Sequence, residues 1–334
     1  MKNDMKICVI MLGLFGDVLA RTPIIEALKY KFPNSKITAV TDKIGYEILK
    51  NNPFIDEIIT MNRKKDNYLK YLSSKITTQF KIIFKRFDLM IDLYNGTSSK
   101  SMTKLSFAKK TVKNKTNTDI YKFKNKFHMT NYLYEMISEI KFTNLNTMPQ
   151  YYLAENHTAR KRESKNSYLI SLGSGDLKKI LSFDKIYKLI KHIYENYGLI
   201  PAIVQNPGQE FLQQDLIDSF LAPNNIPYIS LNKKSIDELA NLLKNAKFII
   251  VPDTGLLHLA FAIKTPAFCV FTHTNPVYVL PEDKDYIFGY SYKIKEPKEL
   301  DDNGILNCTK DIEFNIIKND FNKFYENFKT QNQI

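Results

Sequence analysis

The sequence predicts an α/β protein built on two parallel β-sheets. Short apolar runs of strand length alternate with segments of helical periodicity, beginning at residues 6–12. The alternation starts again at Ser167, after a polar stretch at residues 155–166. Alternating strands and helices favour parallel sheets. A chain of 334 residues also suits two domains of about 100–200 residues each.

In the first half, residues 6–12 (KICVIML) form a continuous apolar run, typical of a strand buried on both faces. Residues 18–32 carry apolar residues at helical spacing and stop at Pro33-Asn34. The predicted strands are 6–12, 36–41, 55–60 and 88–93, and the predicted helices are 18–32 and 44–50.

The second half repeats the pattern. Its predicted strands are 167–172, 200–205, 247–251 and 266–271, and its predicted helices are 183–196, 236–245, 256–263 and an amphipathic helix at 311–328. We therefore expect two Rossmann-like domains, residues 1–160 and 161–334, joined near the polar stretch.

The composition is that of a folded, basic protein. Apolar residues make up 44% and charged residues 25% of the chain, which excludes a disordered protein. The 48 Lys and Arg residues against 35 Asp and Glu give a net charge of +13. This excess favours nucleic acid, nucleotides or an anionic membrane as partners. A Lys-rich chain with few arginines also fits AT-rich codon usage, so both explanations stay open.

The cysteines and apolar runs limit the cellular setting. Cys8, Cys269 and Cys308 are far apart and form no CxxC pair, so neither a disulfide framework nor a zinc site is indicated. Cys8 and Cys269 lie in apolar runs and are expected in the core. The first run is interrupted by Gly16-Asp17 and indicates a strand rather than a signal peptide. No run reaches the ~20 residues of a spanning helix, so we expect a soluble protein or one attached to a membrane surface.

The first loop with potential chemistry is residues 13–17. A dinucleotide loop is not favoured, because GxGxxG is absent and only Asp42, one residue beyond the second strand, offers an acid. Asp17 opens a predicted helix and has two interpretations. It can cap the helix N-terminus, which spacing alone favours, or it can act as a carboxylate base.

The second loop is residues 173–179 (GSGDLKK). Small residues allow backbone N–H groups to approach an anion, and the loop adds the Ser174 hydroxyl and lysine charge. It suggests a phosphate cradle, although the P-loop pattern GxxxxGK[ST] is missing. An ordinary turn with solvated lysines remains the alternative.

The third loop is residues 252–258 (PDTGLLH). Thr254 and His258 are four residues apart, so they share one helix face about one turn apart. Asp, Thr and His at a helix start suit the ribose or phosphate of a nucleotide, or the hydroxyls of a sugar. A capped helix with a half-buried His is the alternative, but a single His near the start of an apolar helix favours a functional role.

Together these segments resemble a known family. The stretches that carry the resemblance are KICVIMLGLFGDVLARTPIIEALKYKFPNSKITAVTDK, NPFID at 52–56, FDLMIDLYNGTSSK, GSGDLKKILSFDKIYKLI and SIDELANLLKNAKFIIVPDTGLLHLAFAIKTPAFCVF. In this order and spacing they are similar to glycosyltransferase family 9, the ADP-heptose:lipopolysaccharide heptosyltransferases. The resemblance spans nearly the whole chain.

The resemblance implies a GT-B fold, in which two Rossmann-like domains with parallel sheets face a central cleft. The N-terminal domain would bind the acceptor and the C-terminal domain the nucleotide-sugar, and the helix at 311–328 could return to the N-terminal domain. By position Asp17 matches the catalytic base. The donor-binding positions are Ser174, Gly175, Lys179, Asp253, Thr254, Gly255 and His258. No metal and no further cofactor is implied, because lysine, hydroxyls and helix N-termini would handle the diphosphate charge.

The implied activity is an inverting, metal-independent transfer of a heptose or related sugar. The donor would be an ADP-sugar such as ADP-heptose, and the acceptor a lipopolysaccharide or lipooligosaccharide core. We expect Arg63, Lys64, Lys65 and the lysines between Lys100 and Lys126 to face this anionic acceptor and a membrane. The enzyme would then work in the cytoplasm, with peripheral contact at the cytoplasmic face of the inner membrane.

Departures from the family pattern keep alternatives open. Met11 and Gly13 stand where relatives often carry a basic residue and Ser, and Leu181-Ser182 replaces Trp-Pro. Residues 272–276 (THTNP) replace a Gly-Pro-Thr-Asp-Pro loop near the donor end. A different nucleotide-sugar or acceptor is therefore the main alternative. A noncatalytic sugar-nucleotide-binding protein is another, and a nucleic-acid-binding protein is not expected, because no recognised module is present.

Overall fold

A computed structural model describes residues 5–64, 67–113, 129–143, 145–154, 166–296 and 307–333. It divides into two compact units, Met1–Tyr152 and Leu153–Ile334. Each unit is built on one parallel sheet, so the predicted α/β class is confirmed. The expected domain boundary, between residues 160 and 161, falls within residues 155–165, which are outside the described residues.

The sheet of the first unit has five strands in the order β3-β2-β1-β4-β5. They are β1 (Lys6–Ile10), β2 (Lys36–Thr41), β3 (Glu57–Thr60), β4 (Leu89–Asp92) and β5 (Lys110–Lys113). The described helices are α1 (Phe15–Lys31), α2 (Lys43–Leu49), α3 (Tyr68–Lys85), α4 (Thr97–Lys104) and α5 (Met129–Met136). Strand β1 is central, and its residues after Lys6 are all buried, as its unbroken apolar run predicts.

The sheet of the second unit has six strands in the order β11-β10-β9-β6-β7-β8. They are β6 (Ser167–Ser171), β7 (Ile200–Val204), β8 (Ile229–Leu231), β9 (Ile249–Ile250), β10 (Ala267–Phe271) and β11 (Phe288–Tyr292). The described helices are α6 (Phe183–Tyr197), α7 (Glu210–Leu216), α8 (Ile236–Asn245), α9 (Gly255–Ile263) and α10 (Phe314–Asn332).

The predicted elements are all present; β2 and α8 have the predicted ends, and the ends of the others are shifted. The amphipathic helix expected at 311–328 is α10, and it packs on β10, β11 and α6 of its own unit. Its aromatic side chains meet Phe248, which stacks edge-on against Phe324 and Phe328. This aromatic face of α10 is buried in the core of the second unit, and the return to the N-terminal domain that the family resemblance allowed stays a prediction.

Several elements escaped the sequence prediction because they lack its signals. Helix α3 carries exposed apolar residues that obscure an amphipathic pattern, and β8 and β11 follow no clear apolar run. Cys8, Cys269 and Cys308 are free and buried, which confirms the expectation for Cys8 and Cys269. Within the described ranges, no helix has the length and apolar character needed to span a membrane.

Candidate functional site

Asp17 lies in the tight connection between β1 and α1. It is the third residue of the helix, and its Oδ2 accepts a hydrogen bond from the Leu14 backbone N–H at 2.9 Å. The carboxylate is half-buried. The N-cap residue is therefore Leu14 and not Asp17, which supports the helix start from its third position through one oxygen. In the described part of the chain no second hydrogen bond holds the other oxygen. One carboxylate can therefore shape the loop and still accept a proton.

Arg21 follows Asp17 by one helical turn and was missed by the sequence analysis. Its Nη1 donates a hydrogen bond to the Leu12 carbonyl. Burial lowers the pKa of the guanidinium, while the negative charges of Asp17 and Asp92 act in the opposite direction. Arg21 therefore supplies the positive charge beside Asp17. The i,i+4 spacing from Asp17 was the sequence signal that could have identified it.

Gly13 makes this arrangement possible. Its φ is +146°, and a Cβ at this position would lie 2.9 Å from Nη1 of Arg21 and 3.1 Å from Oδ2 of Asp17. Glycine is needed for both the backbone conformation and the close approach. Met11, at the position where relatives often carry a basic residue, is completely buried. The positive charge beside Asp17 therefore comes from Arg21 of α1 and not from the residue at position 11, just after β1.

Asp92 ends β4, beside the end of β1. The side chain is completely buried, and its Oδ1 accepts the backbone N–H groups of Tyr94 and Asn95 at 3.0 and 2.9 Å. Its Oδ2 is buried without a hydrogen-bond partner among the described residues. Because unpaired buried carboxylate oxygens are costly, the attraction to Arg21 helps to stabilise this carboxylate.

Arg63 lies close to the Asp17 loop. Its Nε donates to Asp42 Oδ2 at 2.6 Å and its Nη2 to the Gly13 carbonyl at 2.5 Å. Asp42 in turn caps α2 through its Oδ1, so the one acid near the end of the second strand has a structural role. Lys64 is exposed, with its ammonium 5.7 Å from the Tyr68 ring centroid, and Lys65 lies outside the described residues. The acceptor-binding role of these three residues stays a prediction.

The predicted phosphate loop follows β6. Ser174 is buried, and its Oγ accepts the Asp176 backbone N–H at 3.2 Å. Asn206 Oδ1 accepts from Ser171 Oγ at 3.0 Å and from the Gly173 N–H at 3.4 Å. Asn206, which lies two residues after the end of β7, thus holds this loop in place. The local sequence pattern did not reveal this tertiary contact.

The two glycines of this loop serve different purposes. A Cβ on Gly173 would collide with the side chains of Asn206 and Gln209, and Gln209 Nε2 donates to the Ser174 carbonyl at 2.8 Å. A Cβ on Gly175 would have no atom within 4 Å. Gly173 is therefore required for packing, whereas Gly175 leaves open space beside the loop where an anion could approach the backbone.

Lys179 and Asp253 bring the second and third predicted loops together. Their Nζ and Oδ2 atoms are 2.6 Å apart, and the Lys179 side chain is 26% exposed against 7% for Asp253. Burial would raise the pKa of Asp253, but the Lys179 ammonium and a Thr274 hydrogen bond, with help from His258, hold that pKa below its usual value. The carboxylate is therefore ionised, and the lysine is held with part of its surface open.

The start of α9 adds polar groups next to this pair. Thr254 is the N-cap residue, yet its hydroxyl makes no capping bond and is buried without a partner among the described residues. Gly255 begins the helix, so its end presents unpaired backbone N–H groups. His258 is buried one turn later. Asp253, Thr254, Gly255 and His258 thus lie at the helix start that the Lys179 ammonium contacts through Asp253, and their donor-binding role stays a prediction.

Further basic residues surround the Lys179 loop. Thr272 Oγ1 donates to the Lys178 carbonyl at 2.8 Å, and Lys310 Nζ to the Leu177 carbonyl at 2.6 Å. Burial lowers the pKa of His273. The negative charge of Asp176 opposes this shift, and the positive charges of nearby lysines add to it. The loop at 272–276 thus contacts the phosphate loop. Across the described ranges, no cluster of three or more His, Cys, Asp or Glu side chains is arranged to hold a metal.

Comparison with solved structures shows that the fold extends over nearly the whole chain. A glycosyl transferase family 9 protein from Veillonella parvula is 17% identical, with 97% of this chain and 98% of that chain covered and a TM-score of 0.75. ADP-heptose LPS heptosyltransferase II of E. coli is 15% identical, with 96% and 98% covered and a TM-score of 0.72. The chain has the GT-B fold, as predicted.

Sequence comparison goes one step further. A family model described as glycosyltransferase family 9 (heptosyltransferase) matches residues 215–307, which include the loop at 252–258. Lipopolysaccharide heptosyltransferase 1 of Campylobacter coli is 24% identical over 326 residues, covering 89% of this chain and 93% of that protein. These matches confirm the resemblance to family 9: the chain is similar to its family model over residues 215–307 and to a heptosyltransferase over most of its length.

Proposed function

We propose that this protein transfers a heptose, or a closely related sugar, from an ADP-sugar to a lipopolysaccharide-type core acceptor, with inversion and without a metal. The observation that carries the proposal is the Lys179–Asp253 pair at 2.6 Å. Beside it lie the start of α9 and the Thr254 hydroxyl, which has no hydrogen-bond partner among the described residues. A partly exposed cation, a free hydroxyl and helix N–H groups together suit a sugar diphosphate.

The chemistry uses Asp17 as a general base. Its carboxylate takes the proton of an acceptor hydroxyl as that oxygen forms a bond to the anomeric carbon of the donor. The bond from this carbon to the diphosphate oxygen breaks, and ADP leaves with the electron pair. Attack from the face opposite ADP inverts the anomeric configuration. The Leu14 N–H bond at 2.9 Å holds this carboxylate at the start of α1.

Charge that develops on the leaving diphosphate is met by groups of the second unit. Lys179 provides a positive charge, while Ser174, Thr254 and the backbone at Gly175 and Gly255 provide hydrogen-bond donors. These groups stand ready before reaction, and preorganised donors of this kind stabilise the transition state. His258, which lies one turn into α9, would also bind the nucleotide-sugar. The proposal therefore assigns charge neutralisation to protein groups in place of a metal.

The identity of both substrates rests on the similarity to family 9. The E. coli structure of similar fold is described as an ADP-heptose LPS heptosyltransferase, and the C. coli relative as a lipopolysaccharide heptosyltransferase. An anionic glycolipid also suits the basic first unit, where Arg63 contacts the Asp17 loop and Lys64 is the exposed next residue. Peripheral binding to the cytoplasmic face of the inner membrane would bring the enzyme to this acceptor.

A donor screen tests the proposal. Binding and slow hydrolysis of ADP-, UDP- and GDP-sugars would be measured by calorimetry and by nucleotide release, with and without EDTA. We expect a preference for ADP-heptose, no effect of EDTA, and an inverted linkage in the transfer product. Lys179→Met should weaken donor binding, while Lys178→Met, an exposed neighbour, should not. A preference for UDP- or GDP-sugars would contradict the assignment of an ADP-sugar donor. Loss of activity in EDTA would contradict the metal-independent mechanism.

A further inference from the structure

Helix α3 of the first unit has an outward face that is apolar. Leu69, Ile76, Phe80 and Phe84 are spaced by seven, four and four residues and so lie on one side of the helix. Their exposed fractions are 76%, 56%, 55% and 79%. We call this set the apolar face of α3. A surface helix normally directs polar residues outwards, and an exposed contiguous apolar patch marks an interaction site.

The helix is firmly attached through its other side. Tyr71, Thr78 and Ile82 are buried, and Tyr71 and Ile82 belong to the core of the first unit. Asn67 caps the helix by accepting the Lys70 N–H at 2.9 Å. The apolar face is therefore not a core face displaced to the surface. It is a second apolar side of a helix whose first side is already packed.

Neighbouring residues extend the face. The Phe80 and Phe84 rings stack with centroids 6.4 Å apart. Gln79 Nε2 donates to the Leu105 carbonyl at 3.2 Å, so the segment after α4 lies beside α3. There Leu105 and Phe107 are 48% and 76% exposed. The apolar surface thus covers more than one element.

The charged residues within the two helices at this surface have one sign, although Lys85 of α3 pairs with Glu57 of β3 at 2.6 Å. Helix α3 contains Lys70, Lys75, Lys81 and Lys85 and no acidic residue. Helix α4, which packs against α3, adds exposed Lys100 and Lys104 and likewise has no acidic residue. Lys81, Lys100 and Lys104 make no ion pair with any residue in the described part of the chain. A large apolar face surrounded by unneutralised lysines is the arrangement of helices that lie in the interface of an anionic bilayer.

We propose that the apolar face of α3 binds the surface of an anionic lipid bilayer, with Phe80 and Phe84 inserted among the acyl chains and the lysines at the phosphate headgroups. A second copy of the chain is a poorer occupant, because a symmetric contact would bring lysines against lysines. Anionic headgroups complement the charge, and the acyl region accepts the aromatic side chains. The surface thus has a partner of defined chemistry.

This surface lies at a useful place in the first unit. Helix α3 begins at Tyr68, five residues after Arg63, and Arg63 donates to the Gly13 carbonyl of the Asp17 loop at 2.5 Å. Asn62, two residues after β3, donates to the Lys70 carbonyl at 3.3 Å. The first turn of α3 therefore lies at the sheet edge that carries Asp17. If the proposed function holds, membrane binding through α3 would bring Asp17 near lipid-linked acceptors, but the binding itself does not depend on catalysis.

The chain has no tryptophan, so single tryptophans can report on the surface. Phe84→Trp, and Phe211→Trp as a control at a 55% exposed position of the second unit, would be mixed with vesicles of equal parts phosphatidylglycerol and phosphatidylcholine. We expect a blue shift and quenching by brominated acyl chains only for Phe84→Trp, and little binding to pure phosphatidylcholine. Equal emission of the two variants with and without vesicles would overturn the proposal.

Affinity provides the second measurement. The double variant Phe80→Ser/Phe84→Ser should bind the anionic vesicles about tenfold or more weakly, whereas Phe211→Ser should bind like the wild type. Because these side chains are exposed, melting temperature and hydrolysis of a soluble ADP-sugar should be unchanged. If the double variant bound vesicles as tightly as the wild type, the proposal would be refuted. It would also be refuted if the wild type did not bind vesicles but formed a dimer that the two substitutions dissociate. Failure of ADP-sugar hydrolysis in all variants would instead contradict the proposed function alone.

Discussion

In each of the two units, the loop that follows the first strand carries a charged side chain, and the two charges are of opposite sign. In each, a buried strand of a parallel sheet leads through a short loop to the groups of interest. In the first unit, the carboxylate of Asp17 is the group left available, and Arg21 is tied to the Leu12 carbonyl beside it. In the second, Lys179 is left available, and Asp253 is the buried partner. One loop is thus prepared to accept a proton and the other to bind an anion.

The largest effect is expected at Asp17, where the loop presents its anion. Asp17→Asn keeps an oxygen that can accept the Leu14 N–H but loses the base, so kcat should fall about 10²–10⁴-fold with donor affinity unchanged. Asp17→Ala should also lose the cap, at about 1 kcal/mol of stability. Single-turnover kinetics, calorimetry and urea unfolding separate the two losses. An Asp17→Asn enzyme with wild-type kcat would remove Asp17 from the mechanism.

The second-largest effect is expected from removing Lys179, the counter-charge of the buried Asp253 carboxylate. Lys179→Met leaves the Asp253 carboxylate buried without its main counter-charge, which should cost about 3 kcal/mol at neutral pH. Loss of the charged contact to the diphosphate should weaken donor binding about 10–100-fold. Urea unfolding and calorimetry measure both, with exposed Lys178→Met as the control. A variant as stable as the wild type would mean that the ion pair contributes nothing.

The same variant predicts a change in pH dependence. In the wild type the folded pKa of Asp253 is lowered, so its stabilisation is present at neutral pH and is lost as the pH falls through that pKa. Without Lys179, burial raises the pKa, so the carboxylate becomes destabilising as the pH rises through the raised value. The stability lost by Lys179→Met should therefore be larger at pH 7.5 than at pH 4.5. Adding Asp253→Asn should abolish this difference.

A smaller effect is expected from the cation of the first unit. Arg21→Gln removes the positive charge near Asp17 and Asp92, and should lower stability by about 1–3 kcal/mol because buried polar groups lose their compensation. The displaced loop should lower kcat about tenfold, while donor affinity stays unchanged. Unfolding and steady-state kinetics test this, with Arg86→Gln as the control for arginine loss. A drop in donor affinity instead of kcat would contradict the assignment to the Asp17 loop.

The smallest effect is expected from Asn206, which supports the phosphate loop from outside. Asn206→Ala removes the bonds to Ser171 and Gly173, which should cost about 1 kcal/mol and weaken donor binding only a few-fold. Asn245→Ala, which loses a local helix contact, serves as the matched control. If donor affinity of the Asn206 variant equalled that of the control, Asn206 would have no role in shaping the site.

Some features could be predicted from the sequence because they are local. Strand β1 and the helices on either side of the predicted loops follow from apolar runs and periodicity. The loops themselves follow from Gly, Asp and Thr at the ends of strands, where parallel sheets expose their chemistry. Cys8 and Cys269 are buried because they lie inside such runs. Helix α3 was missed because the helix exposes apolar residues on the side where periodicity requires polar ones.

The sequence by itself thus determined the α/β class, the two sheets and the identity of the loops that carry Asp17, Lys179 and Asp253, since each depends on neighbours along the chain. Only the tertiary structure decided which groups pair. Arg63 reaches Gly13 across 50 residues and Lys179 reaches Asp253 across 74, and Asn206 holds a loop from a different strand. Such contacts depend on strand order and side-chain reach, and local composition does not encode either.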